Sequence, residues 1–217
     1  MANDLPALRV RYWNIMQEIK DRLKVIEGLY KNQFKLPATA AYELCYLELR
    51  LTCELIALAC LTAHADIPAA RSRDMRDEYR PGKLLASLER LHPAFYPVPM
   101  DQIIDVDGNL EAITRAKNGS LTRSELVRLH GESGNILHRG AIKKYEPKRK
   151  VDFRKAAAWQ KKIIRLLNRH LIAMVDQKHA VYVTMQDKIT KNPVLLELEV
   201  ADVSHWPDWI QALHQEV

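Results

Sequence analysis
A chain of 217 residues, 47% hydrophobic and 28% charged, has the size and composition of one soluble globular domain, and it shows no internal repeat or low-complexity tract. The net charge of +6 is uneven: between Arg139 and Arg169 twelve basic residues stand against Glu146 and Asp152, a local balance of +10. A single basic patch of this kind points to a polyanion partner, or else to a solvated helix face.

The start of the chain, Met1 to Lys20, has early charged residues and no apolar run, so no signal peptide is expected. From Leu8 the residues Tyr12, Ile15, Ile19, Leu23 and Ile26 recur at helical spacing and predict a first helix over about Leu5 to Tyr30, ending before Pro37. The next stretch, Leu44 to Ala63, is apolar nearly all round a helix, with only Glu48, Arg50 and Glu54 charged. A helix apolar on every side is a buried one, so it is expected to sit at the centre with the others wrapped around it. Three charges argue against a membrane span. Arg50 and Glu54 stand four apart and can pair, either as an ion pair that fixes register or as a polar seam lining a cleft.

Cys45, Cys53 and Cys60 all lie on this helix, at spacings of eight and seven residues. That is about 12 and 10 Å along the axis, too far for any disulfide. Reduced thiols of this kind fit a cytoplasmic protein, and their spacing fits no zinc site.

Ile67 to Arg80 alternates in charge and reads as an exposed connection with some helix. Pro81 opens a short helix with Leu84, Leu85, Leu88 and Leu91 inward, and Pro93, Pro97 and Pro99 force an extended segment after it. Asp107-Gly108 between apolar runs signals a hairpin. The run from Asp105 fails as a calcium loop, because Ile103 and Thr114 occupy positions that need carboxylates.

Ser120 is read as the cap of the next helix, with Leu121, Leu126, Val127 and Leu129 inward. Gly131 and Gly134 follow, each a weak helix residue that calls for a kink or a close backbone approach. Asp152 begins the last long helix, whose predicted stripe is Trp159, Ile163, Leu166, Leu167, Leu171 and Val175, with Lys155, Lys161, Lys162, Arg165 and Arg169 over much of the rest. From Ala180 the pattern alternates and predicts a hairpin around Asn192-Pro193, followed by a short helix bearing Trp206, Trp209, Ile210 and Leu213. The fold expected is therefore mainly α: an up-down bundle around a buried second helix over 1–178, with a small C-terminal β-hairpin and short helix over 179–217 packed on it.

Several chemistries have no motif here. There is no H-E-x-x-H, no G-x-S-x-G and no phosphate-binding glycine loop, and the E-x-x-H spacing occurs once, at Glu89 and His92, where a di-iron bundle needs two. No metal site and no cofactor are expected, which leaves acid–base chemistry by histidine.

Arg123 and His130 enclose six residues, and Asn135, His138 and Gly140 form a histidine turn, though no arginine stands at that distance before His138. Together with a buried second helix carrying an acid and an arginine, this stretch resembles the HEPN domains, over about Leu5 to Val175. Members of that family are helical bundles that often act as metal-independent ribonucleases in bacterial toxin and defence systems. The resemblance implies an RNA partner, a homodimer, in some systems an antitoxin or other protein partner, and no membrane. It implies a catalytic set drawn from His138, His130, Arg123 and Asn135, with Arg50 and Glu54 as supporting polar groups. The basic stretch Arg139, Lys143, Lys144, Lys148, Arg149 and Lys150 would then hold the nucleic acid through its phosphates. Two rivals are a non-enzymatic helical module with a basic nucleic-acid- or protein-binding face, and a scaffold whose hairpin adds a strand to a partner.

Overall fold
The structure, a computed structural model, describes residues 5–107, 110–138, 151–176 and 178–199. The expectation of a mainly α bundle with one small hairpin is overturned. The described residues form six α-helices and a five-stranded antiparallel sheet, a mixed α/β architecture. The C-terminal helix expected around Trp206 lies outside the described residues.

Helix α1 (Leu5–Tyr30) turns back through Asn32, at a φ of 56°, into α2 (Ala38–Ala63). Asparagine tolerates this left-handed conformation better than most residues. Met16, Ile19 and Ile26 of α1 are fully buried against α2. The Arg22 guanidinium meets Glu48 of α2 at 2.8 Å, at the edge of that contact. A 3₁₀ turn (Pro68–Arg71) and the short α3 (Arg73–Asp77) lead to α4 (Pro81–Leu91), then to strands β1 (Val98–Ile104) and β2 (Leu110–Arg115). Helices α5 (Arg123–Leu137) and α6 (Phe153–Leu167) follow, and β3 (Arg169–Ala173), β4 (His179–Thr184) and β5 (Val194–Glu199) complete the sheet in the order β2-β1-β3-β4-β5.

The central placement of α2 holds, since α1, α4, α5 and α6 all pack on it. Its burial on every side does not. Leu44, Leu47 and Leu58 remain more than a third exposed along one strip. The three cysteines are free and buried, as their spacing requires.

Two stretches depart from the helical reading. The leucine spacing from Leu167 to Leu171 continues a helical stripe in sequence, but α6 stops at Asn168 and Leu171 belongs to β3. β3 pairs with β4 along its whole length and with β1 at Val98–Leu171 and Pro99–His170. Strand pairing on both sides outweighs one more helical turn here. The cap of α5 is Thr122 rather than Ser120. Its hydroxyl accepts from the Glu125 amide while the Glu125 carboxylate accepts from the Thr122 amide, a reciprocal capping box.

The helices cover one face of the sheet, with Ile172 and Val183 in the main core. Val98, Met100, Leu171, Ala180 and Tyr182 form a smaller apolar cluster on the other face. β3 is anchored by buried histidines. The carbonyl of Ala173 lies 3.0 Å from His92 Nε2 and 3.3 Å from His64 Nε2, and His64 Nδ1 is 2.9 Å from the Cys60 carbonyl. His170 Nδ1–H donates to the Leu167 carbonyl at 2.9 Å, and its Nε2 accepts from the Tyr12 hydroxyl at 2.7 Å, tying α1 to the sheet. Among the described residues no helix is long and apolar enough to cross a membrane.

Burial pushes His170 down to about 4, because the imidazolium would lose its hydration without an anionic partner. The unfolded chain titrates near 6.5, so between those values it binds more protons than the folded protein, and stability rises with pH. The contribution is complete above about pH 6.5 and is lost as the solution is acidified toward 4. Urea unfolding from pH 6.5 to pH 4 should therefore show the wild type losing roughly 3 kcal/mol more than His170→Gln. Equal losses in the two proteins would show that His170 is not held neutral.

Candidate functional site
Helix α5 runs unbroken from Arg123 to Leu137, through both glycines. Gly134 is there for contact: a Cβ on it would lie 2.8 Å from Arg50 Nη1 of α2. Gly131 has open space around it and provides no such approach. The close packing at Gly134 brings three of the expected residues together on the α2–α5 seam. His130 Nε2 lies 3.1 Å from Glu54 Oε1, Arg50 Nε lies 3.4 Å from the same oxygen, and Arg50 Nη1 is 3.5 Å from the His130 carbonyl.

The cluster is half-buried and reachable. The His130 side chain is 17% exposed, Glu54 31% and Arg50 30%. An imidazole that donates Nε2–H to a carboxylate keeps Nδ1 as its acceptor, and Nδ1 meets no partner among the described residues. Both Arg50 contacts are long, so most of its five N–H donors stay open to an incoming oxyanion. A cleft of about 250 Å³ adjoins Glu54, walled by Arg76, Tyr79 and Leu84 among others. The seam thus holds a base nitrogen, a carboxylate that fixes its tautomer, and a guanidinium; of the three only Glu54 lines the cleft, which Asp77 and Glu78 also border.

The remaining expected residues stand apart from this cluster. Arg123 shares a helix face with His130, about 10 Å along the axis, but its guanidinium is paired with Glu89 of α4 at 2.7 Å. Asn135 is exposed one turn beyond His130. His138 is the exposed C-cap, held by its backbone N–H to the Gly134 carbonyl. Arg139, Lys143, Lys144, Lys148, Arg149 and Lys150 lie outside the described residues. Among the described residues no group of three or more His, Cys, Asp or Glu side chains is placed to hold a metal ion.

The link between Glu54 and His130, 76 residues apart, carries no signal in the sequence. The i,i+4 pair on α2 was visible, and so was the glycine requirement on α5. That the two belong to one seam follows only from how the helices pack. No family model, no curated protein and no solved structure matches the chain.

The two glycines should answer differently to a methyl group. Gly131→Ala is expected to stabilise by about 1 kcal/mol, the ordinary helix-propensity gain. Gly134→Ala should fall short of that by about 1 kcal/mol, because Arg50 must withdraw from the seam. Chemical denaturation of both variants checks this, and equal stabilisation at the two positions would show that Arg50 does not rest on α5.

Proposed function
We propose that this protein is a HEPN-like RNA-binding protein that cleaves RNA by acid–base chemistry at His130. The observation that carries the reading is the Glu54–His130 pair with an open Nδ1 and a loosely held Arg50 beside it. His130 Nδ1 takes the proton of a ribose 2′-hydroxyl, and that oxygen attacks the adjoining phosphorus. The bond from phosphorus to the 5′-oxygen breaks, and the imidazolium returns the proton to the leaving oxygen. The products are a 2′,3′-cyclic phosphate end and a 5′-hydroxyl end. The nucleophile is internal and already close to its target, which removes much of the entropic barrier. Arg50 offers its fork to the phosphate oxygens.

Within this reading the expected pair of catalytic histidines reduces to one. His130 is oriented by a carboxylate, whereas His138 caps a helix end, where positive charge is favourable in any case. The uncovered leucine strip on α2, Leu44, Leu47 and Leu58, is where a second copy would sit, on the same helix as Arg50 and Glu54.

A binding module without cleavage is favoured by a separate observation, the pairing of Arg123 with Glu89. That arginine is the one the family pattern assigns to the phosphate.

Purified protein incubated with single-stranded RNA in excess chelator separates the two readings. Wild type is expected to cleave between about pH 6 and 8, with His130→Ala reduced at least ~100-fold and His138→Ala within a few-fold. Wild type inert at every pH, with RNA still bound, would leave only the binding module. Light scattering gives the assembly: Leu47→Glu with Leu58→Glu should turn a dimer into a monomer, and a wild type already monomeric removes the second copy.

A further inference from the structure
Where α6 hands over to β3, the chain builds a second polar site, away from the α2–α5 seam. A cleft of about 270 Å³ is lined by Lys161, Arg165, Asn168 and Arg169, with Met100 and Asp101 of β1 opposite. Three cations face it against one carboxylate, and that carboxylate is taken. Arg165 grips Asp101 fork to fork, Nη1 to Oδ1 at 2.6 Å and Nη2 to Oδ2 at 2.7 Å. The guanidinium beside it holds the Asp101 carboxyl below the usual range, so it stays ionised and paired.

The other two cations have nothing comparable. Arg169 is partly buried, and among the described residues its guanidinium makes no hydrogen bond and no ion pair, although the field of Asp101 reaches it. Its Nε–H is sealed from solvent with no acceptor, an arrangement native proteins rarely leave unmet. Lys161 is exposed on α6 and unpaired among the described residues. Satisfied carboxylate, unsatisfied guanidinium and free ammonium leave a balance of +2 around a polar hollow. The carbonyl end of α6 helps to attract these cations, but it gives the Arg169 donors no partner.

We propose that this cleft binds a phosphate oxyanion through Arg169 and Lys161, and that in the working protein the phosphate belongs to the backbone of single-stranded RNA. A planar fork and a mobile ammonium on one side of a hollow are the donor set for a tetrahedral oxyanion. Asn168, next to Arg169, adds an amide that can donate to a third oxygen. The site recognises phosphate and not base, so it positions RNA without choosing its sequence. The choice of RNA as the source rests on the function proposed above; the oxyanion site itself does not.

Two readouts test it on the full chain. The first follows the Arg169 Nε–H resonance by NMR during titration with inorganic phosphate, with sodium chloride at matched ionic strength as the control. The second measures binding of a fluorescein-labelled oligouridylate by anisotropy over a range of salt, for wild type, Arg169→Gln, Lys161→Gln and the exposed-cation control Arg73→Gln. The expected result is a saturable shift with phosphate, RNA affinity weakened several-fold by each site variant, and a salt slope shallower by about 0.7 per cation removed. Arg73→Gln should bind as wild type does, and thermal melting of all variants should match the parent. A phosphate shift with RNA affinity unchanged in both site variants would support the oxyanion site and overturn RNA as its source. No phosphate shift, with the site variants binding RNA like wild type, would overturn the site. If no RNA binds any form but the phosphate shift remains, the RNA reading falls while the site stands.

Discussion
Helix α2 carries more apolar surface than any one neighbour can cover. Water expels such a surface at roughly 25 cal/mol per Å², so the chain is arranged to close over it. α1 lies along one side, α5 and α4 along others, and α6 reaches it between α1 and α5. The sheet then has no place around the helix and takes the flank, where Ile172 and Val183 join the core. The charged groups of α2 are settled by the same requirement. Glu48 is met by Arg22 on the α1 side, while Arg50 and Glu54 are left on the α5 seam, where His130 meets them.

The glycine at 134 shows how narrow that seam is. The Arg50 guanidinium rests against α5 at a point where the helix presents no side chain. The candidate site is therefore a product of helix packing more than of any local motif. A carboxylate, an imidazole and a guanidinium converge because two backbones approach, with the polar groups at the edge of the contact where water still reaches them.

What could be read from the residues alone divides along the same line. The ends of α1 are legible because apolar residues repeat at helical spacing up to Tyr30 and a proline follows at 37. The β1–β2 hairpin is legible from Asp107-Gly108 between apolar runs. Its membership in a larger sheet is not, because among the described residues the hairpin joins the rest of the sheet through β3, some 70 residues further on. β3 itself is hidden by coincidence: Leu167 and Leu171 are four apart, as in a helix, although the second belongs to a strand. His170 looks like one more polar surface residue until its burial against Tyr12 is seen. In the site, the residue types and the Arg50–Glu54 spacing were readable, but the partnership with His130 was not, since no pattern in one helix names its neighbour.

The late arrival of β3 has a consequence for synthesis. β3 sits in the middle of the sheet, yet both strands of the first hairpin precede it in the chain. From the moment Ile104 leaves the ribosome, about 65 more residues must be made before Arg169 follows, a wait of roughly 3 to 13 s at ordinary elongation rates. During that interval β1 has one edge with no strand to bond, next to the apolar side chains of Val98 and Met100. An unpaired edge of this kind invites pairing with another nascent chain. Pro99 does nothing to blunt that edge: its carbonyl accepts from the Ala116 amide on the β2 side, so its missing amide hydrogen faces β2 too.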